Sequence, residues 1–72
     1  MEILSVKLKK FRKNKDVTQK VVAQDIRITE RQYIDVENGK AKPTIDTLIK
    51  LADYYDVSLD YLIGRSDVKD RQ

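Results

Sequence analysis

Apolar side chains recur along this chain at helical spacing, with polar ones between them. Leu4, Leu8 and Phe11 stand at i, i+4 and i+7, on one side of a first helix. Later, Ile45, Leu48, Leu51, Ala52 and Tyr55 share one arc roughly 100° wide, with Asp46, Lys50 and Asp53 opposite. Three short segments share a common beginning: Val17-Thr18 leads to Val22, Ile28-Thr29 to Tyr33, and Val57-Ser58 to Leu62. In each, the hydroxyl can accept hydrogen bonds from the first free N–H groups of a helix. The apolar residue before it can pack on the residue five positions later, which is a hydrophobic staple. Thr29 with Gln32 adds a capping box, and Thr44 after Pro43 is a fourth cap. Gly39 and Gly64 suit the left-handed position that closes a helix. The pattern therefore predicts an all-α fold of five helices, near 2–14, 18–26, 29–38, 44–55 and 58–63.

Only a few residues separate the second and third of these helices, and two short amphipathic helices so joined form a helix-turn-helix. The third would be the helix presented to a major groove. Its stretch "ITERQYIDVENG" puts Tyr33 and Val36 on the apolar side. The other side offers Arg31 and Asp35, flanked by Glu30, Gln32 and Ile34. Arg12 falls four residues after Leu8 and Glu37 four after Tyr33, so both charges stand beside core faces. An ion pair between them is expected; the ordinary alternative is two solvated charges. Tyr33 and Tyr55 belong to apolar faces, whereas Tyr54 and Tyr61 fall off the stripes. With Ile49 and Ile63, these last two tyrosines are candidates for a contact surface.

Composition narrows the chemistry. Seventy-two residues make one small domain, and a chain this short buries only about 60% of its unfolded surface. Cysteine and histidine are absent, which excludes disulfides, thiolate or imidazole metal sites, and Cys–His or Ser–His catalysis. Carboxylates are plentiful, but no loop or nucleophile–base pair gives them a catalytic site. No run of about 18 apolar residues is present to cross a membrane. Lys7, Lys9, Lys10, Arg12 and Lys13 interrupt any signal-peptide core, so a soluble, cytoplasmic protein is expected. The net charge of +3 and pI near 9.2 are mildly basic. Residues 1–15 carry six bases against Glu2 alone; the plainest reading of that excess is a solvated helix face.

The stretch "VTQKVVAQDIRITERQYIDVENGKAKPTIDTLIKLADYYDVSLDYLIG" resembles the Cro/repressor, or XRE, family of helix-turn-helix regulators. Thr18-Gln19 opens the second helix, Ala23 is the small residue at the packing of helices two and three, and Ile28-Thr29 is the turn. Glu37-Asn38-Gly39 closes the third helix, Lys40 to Thr44 forms the loop, and "TIDTLIKLADYYDVSLDYLIG" matches the last two helices. The likeness covers about residues 3 to 64, which leaves a domain of residues 1–66 and a polar tail, 67–72, expected to fray.

That resemblance implies a compact, repressor-like domain that binds double-stranded DNA, without cofactor or metal. Helix three would begin at Thr29 and read bases through Glu30, Arg31, Gln32 and Asp35. Gln19 matches a position that contacts backbone phosphate. Asn38, Lys40, Lys42 and Thr44 match the loop that grips the sugar-phosphate backbone, and the family often pairs charges at Arg12 and Glu37. Members commonly dimerise through the last helix and the residues after it, so Tyr61 and Ile63 are dimer candidates, and the operator would be near-palindromic. No small-molecule effector or membrane partner is implied, and repression is the expected outcome.

Three features depart from the family. Arg27 stands where glycine is usual at the end of helix two; in a left-handed turn it costs about 1–2 kcal/mol. Glu30 and Asp35 put acids where DNA should lie. A carboxylate can accept from cytosine N4 but repels phosphate. Their ordinary roles would be to favour the helix dipole and, for Asp35, to pair with Arg31 at i, i+4. Ile34 on the outward side could touch a thymine methyl or a sugar, though an isolated exposed side chain is preferred. A rival reading is a protein-interaction module whose acidic face binds a basic partner, with DNA affinity weak or lost.

Overall fold

The computed structural model describes residues 2–65 and Lys69. Five helices succeed one another: α1 (Glu2–Lys15), α2 (Gln19–Ile26), α3 (Glu30–Glu37), α4 (Ile45–Tyr55) and α5 (Leu59–Leu62). All five predicted helices form, and no strand occurs among the described residues. Thr18, Thr29, Thr44 and Ser58 each accept a hydrogen bond from the backbone N–H three residues on. Thr29 and Gln32 complete the capping box reciprocally, at 3.0 and 2.9 Å.

Every helix ends in the same turn. One residue adopts the left-handed conformation: Asp16 (φ 57°), Arg27 (63°), Gly39 (76°), Asp56 (55°) and Gly64 (84°). Its N–H reaches the carbonyl three residues back, and the next N–H reaches the carbonyl five back. This double bond pattern satisfies carbonyls that a helix end would otherwise leave bare. Three of these turns run straight into the next cap: Asp16-Val17-Thr18, Arg27-Ile28-Thr29 and Asp56-Val57-Ser58. The middle residue of each packs on the core, so one apolar side chain anchors the end of one helix and the start of the next.

The core draws on all five helices. Leu4, Leu8 and Phe11 come from α1, Val22, Ala23 and Ile26 from α2, and Tyr33 and Val36 from α3. Leu48, Leu51 and Ala52 come from α4, Leu62 from α5, with Val57 between. Fully burying a side chain of the Leu, Val or Phe kind contributes about 1.5–3 kcal/mol. α3 packs on α1 and α2, α4 on α2 and α5, and α5 also on α1.

Two expectations about faces need correction. Ile45 lies on the α4 stripe by angle, yet it is 62% exposed. It is the first residue of α4, and burial on that stripe begins only at Leu48. Tyr54 and Tyr61, off the stripes in sequence and candidates for a contact surface, are half-buried against the core. Tyr54 donates to Asp25 Oδ2 at 2.8 Å, and the Lys15 amine lies 5.0 Å from its ring. Tyr61 stacks at 6.2 Å on Phe11, with the Lys7 amine 3.8 Å above its ring and donating to its carbonyl. The expected fraying of the tail falls mostly outside the described residues. Lys69 accepts from the Ser58 N–H through its carbonyl at 3.0 Å.

Candidate nucleic-acid interface

The turn from α2 to α3 is fixed at three successive residues. Arg27 supplies the left-handed bend, and Ile28 donates its N–H to the Ala23 carbonyl at 3.0 Å while packing on the core. Thr29 then caps α3. The inner face of α3 is fully committed, because Tyr33, Val36 and Glu37 are buried. Its outer edge, Glu30, Arg31 and Gln32, is exposed, and Ile34 and Asp35 are half-buried. Ile34 is therefore not the exposed side chain preferred from sequence. Arg31 reaches one turn along the helix, placing Nε 3.4 Å from Asp35 Oδ2.

Behind this edge lies a charged cluster. Arg12 Nε donates to Glu37 Oε2 at 2.9 Å and its Nη2 donates to Oε1 at 3.0 Å. Arg12 Nη1 also reaches the Val17 carbonyl at 3.3 Å. Such forked pairing adds geometric specificity to charge. Gln19 joins from the start of α2, donating through Nε2 to Glu37 Oε1 at 3.3 Å. Ser5 donates to the Glu37 carbonyl. The cluster thus ties α1, α2 and the end of α3 together, with Glu37 only 1% exposed.

Burial by itself would raise the Glu37 carboxyl. Hydrogen bonds from Arg12 and Tyr33, the Arg12 charge and Gln19 outweigh it and hold the pKa below the ordinary carboxylate value. The Glu37 hydrogen bond raises the Arg12 guanidinium against the opposing effect of burial. Tyr33 is pushed far up by burial and by its 3.0 Å hydrogen bond with Tyr55. Tyr54 is pushed up to about 12 by burial and its bond to Asp25.

The loop after α3 is held at its near end. Gly39 makes the left-handed turn, and the N–H groups of Lys40 and Ala41 both donate to the Asp35 carbonyl, at 2.8 and 3.2 Å. Asn38, Lys40, Lys42 and Thr44 are exposed. Thr44 accepts from the Thr47 N–H at 3.2 Å.

The expected site residues therefore fall into groups. Arg12, Gln19 and Glu37 form one cluster, Arg31 and Asp35 a pair, and Thr29 and Gln32 a cap. Lys40 is joined to Asp35 through backbone alone. Tyr61 and Ile63 lie elsewhere, half-buried beside α1 and α5. Sequence reading missed the bond from Gln19 to Glu37 and those made by Ser5 and Asp25. Ser5 did carry a signal, being a short polar residue next to Leu4 and three before Leu8.

The family model described as helix-turn-helix matches residues 8–62, most of the chain, with α2, α3 and the loop after them inside the match. The chain belongs to the XRE-type helix-turn-helix family. Among its relatives is the uncharacterized HTH-type transcriptional regulator YqaE of Bacillus subtilis (strain 168). It is 43% identical over 68 residues, covering 93% of this chain and 59% of the relative. The HTH-type transcriptional regulator ImmR of the same organism is 37% identical over 65 residues, 90% of this chain and 51% of the relative. The cryptic phage CTXphi transcriptional repressor RstR of Vibrio cholerae serotype O1 (strain ATCC 39315 / El Tor Inaba N16961) is 39% identical over 54 residues. That alignment covers 75% of this chain and 48% of the repressor. The chain thus spans about half the length of these relatives. Among the described residues, no helix is long and apolar enough to cross a membrane.

Proposed function

We propose that this chain is the DNA-reading unit of a transcription regulator, acting without catalysis, with α3 laid in the major groove. One observation carries the reading. The inner face of α3 is locked into the core by Tyr33, Val36 and Glu37, while Glu30, Arg31 and Gln32 on its first turn stay exposed. A rigidly held, solvent-facing polar edge is what base readout in a groove requires.

Phosphate contacts fall to the backbone at the start of α2, beside Gln19, and to Thr29, Asn38, Lys40, Lys42 and Thr44. Free N–H groups at helix starts attract anions, and such contacts set register rather than sequence choice. The printed names of the relatives, which speak of regulation and repression, support repression as the outcome. A homodimer using the Tyr61 and Ile63 side would space two α3 helices about 34 Å apart and favour a near-palindromic operator.

The test is titration of a mixed-sequence duplex from low to high salt, then selection from a random duplex pool. Affinity is expected to fall by roughly 0.9 log units per log of salt for each phosphate contacted. The selected sites are expected to be symmetric. Affinity insensitive to salt, with no enriched sequence, would instead favour a module that binds a basic protein through Glu30 and Asp35.

A further inference from the structure

Within the DNA-reading role just proposed, on which this inference rests, the geometry of α3 points to a division of labour among its outward residues. We propose that Asp35 is a positioning residue which holds Arg31 ready for a guanine, and that Asp35 does not itself read a base. The Arg31 side chain is 84% exposed, whereas that of Asp35 is 29% exposed. The two meet through Arg31 Nε and Asp35 Oδ2 at 3.4 Å. Among the described residues, the two terminal nitrogens of Arg31 have no partner. The carboxylate therefore occupies the inner donor of the guanidinium and leaves the outer fork open. That fork carries the two parallel donors that match guanine O6 and N7.

Asp35 is well anchored for this task. Its carbonyl accepts from the N–H groups of both Lys40 and Ala41, so the helix and the loop after it meet at this residue. A carboxylate at this place also repels phosphate. An arginine tethered to it is steered away from the backbone, where a guanidinium binds without regard to sequence.

Gln32 supports the same division. Its Oε1 accepts from the Thr29 N–H at 2.9 Å. Two-point recognition of adenine needs both the oxygen and the nitrogen of an amide aimed at the base. With that oxygen turned back to the cap, Gln32 cannot aim both ends of its amide at one base, and its nitrogen is the end left to the groove. Arg31 and Gln32 thus both turn donors outward, toward the acceptor-rich edge of guanine, with Arg31 as the main reader.

The experiment measures affinities of the full chain and its variants for the selected duplex and for duplexes changed at each base pair in turn. Arg31→Ala is expected to abolish guanine preference at one base pair of each half-site, a loss of about 5- to 150-fold in discrimination. Asp35→Ala is expected to weaken preference at that same base pair by about three- to tenfold, since an untethered arginine must lose its rotamer freedom on binding. Affinity of Asp35→Ala for mixed-sequence DNA is expected to rise. Asp35→Glu, which keeps a carboxylate one turn from Arg31, is expected to restore the preference. A merely structural role would lower affinity for all duplexes alike.

Three results would overturn the proposal: Asp35→Ala changing preference at a different base pair, changing none, or Asp35→Glu behaving like alanine. Failure of the parent chain to bind duplex would refute the DNA-reading role as well. Ordinary selective binding by the parent, with Asp35→Ala unchanged, would remove this inference alone.

Discussion

Arg27 holds φ at +63° in a turn where a side chain brings only steric cost, and it is exposed. A left-handed L-residue costs about 1–2 kcal/mol, partly offset by the greater entropy glycine loses on folding. Arg27→Gly is therefore expected to stabilise the domain by about 0.5–1 kcal/mol net, raising Tm by a few degrees in thermal unfolding; an unchanged or lower Tm would show that the strain is absent. Glu37 has the opposite importance. Removing its partner leaves a buried charge, so Arg12→Ala is expected to cost about 3–5 kcal/mol, a fall in Tm of well over 10 °C for a domain this small. A variant melting within a degree or two of the parent would show the pair to be solvated. Because the folded pKa of Glu37 lies below its ordinary value of 4.5, its contribution is present above that pH. It is lost as pH falls through the folded value. Denaturant titrations across pH 2–6 are expected to show this acid loss, and Glu37→Gln to flatten it. The meeting of Arg12 and Glu37 was legible because both stand four residues from a core position. The Gln19 bond was not, since it depends on how α2 is rotated against α3.

The elements were legible chiefly through their starts. A β-branched residue followed by a hydroxyl marks Thr18, Thr29 and Ser58, and all three are caps. Helix ends were harder to see. Gly39 and Gly64 declare a left-handed residue, but Asp16 and Asp56 do the same work with a side chain that tolerates this conformation. Gly64 is further constrained by tertiary contact, as a Cβ there would stand 3.0 Å from Ile3 Cγ2 and Cδ1. Ile45 marks the limit of angular reasoning, because a helical stripe says which way a side chain points but not whether a neighbour reaches that far along the axis. The cap of α3 offers a test at this scale. Thr29→Ala is expected to cost about 1 kcal/mol in denaturant unfolding and to free Gln32 from its bond. No loss would mean that packing of Ile28 and Tyr33 alone sets the start of the helix.

At the scale of the whole molecule, the fold braces one edge. α1 and α2 converge on α3 through Arg12, Gln19 and Glu37, and α4 and α5 close the core behind them. The order and number of helices could be read from periodicity and caps, and the family from the stretch that links them. The partly buried state of Tyr54 and Tyr61 could not, because lysines from α1 cover rings that lie off any single helix's stripe. The most direct measurement of the central claim is an amide-resolved NMR titration of the chain with its selected duplex. Shifts are expected along 28–35, across the 38–44 loop and at the start of α2, with the far side of α4 around Asp53 unmoved. Shifts concentrated on α4 or α5, with Glu30, Arg31 and Gln32 unchanged, would contradict the account.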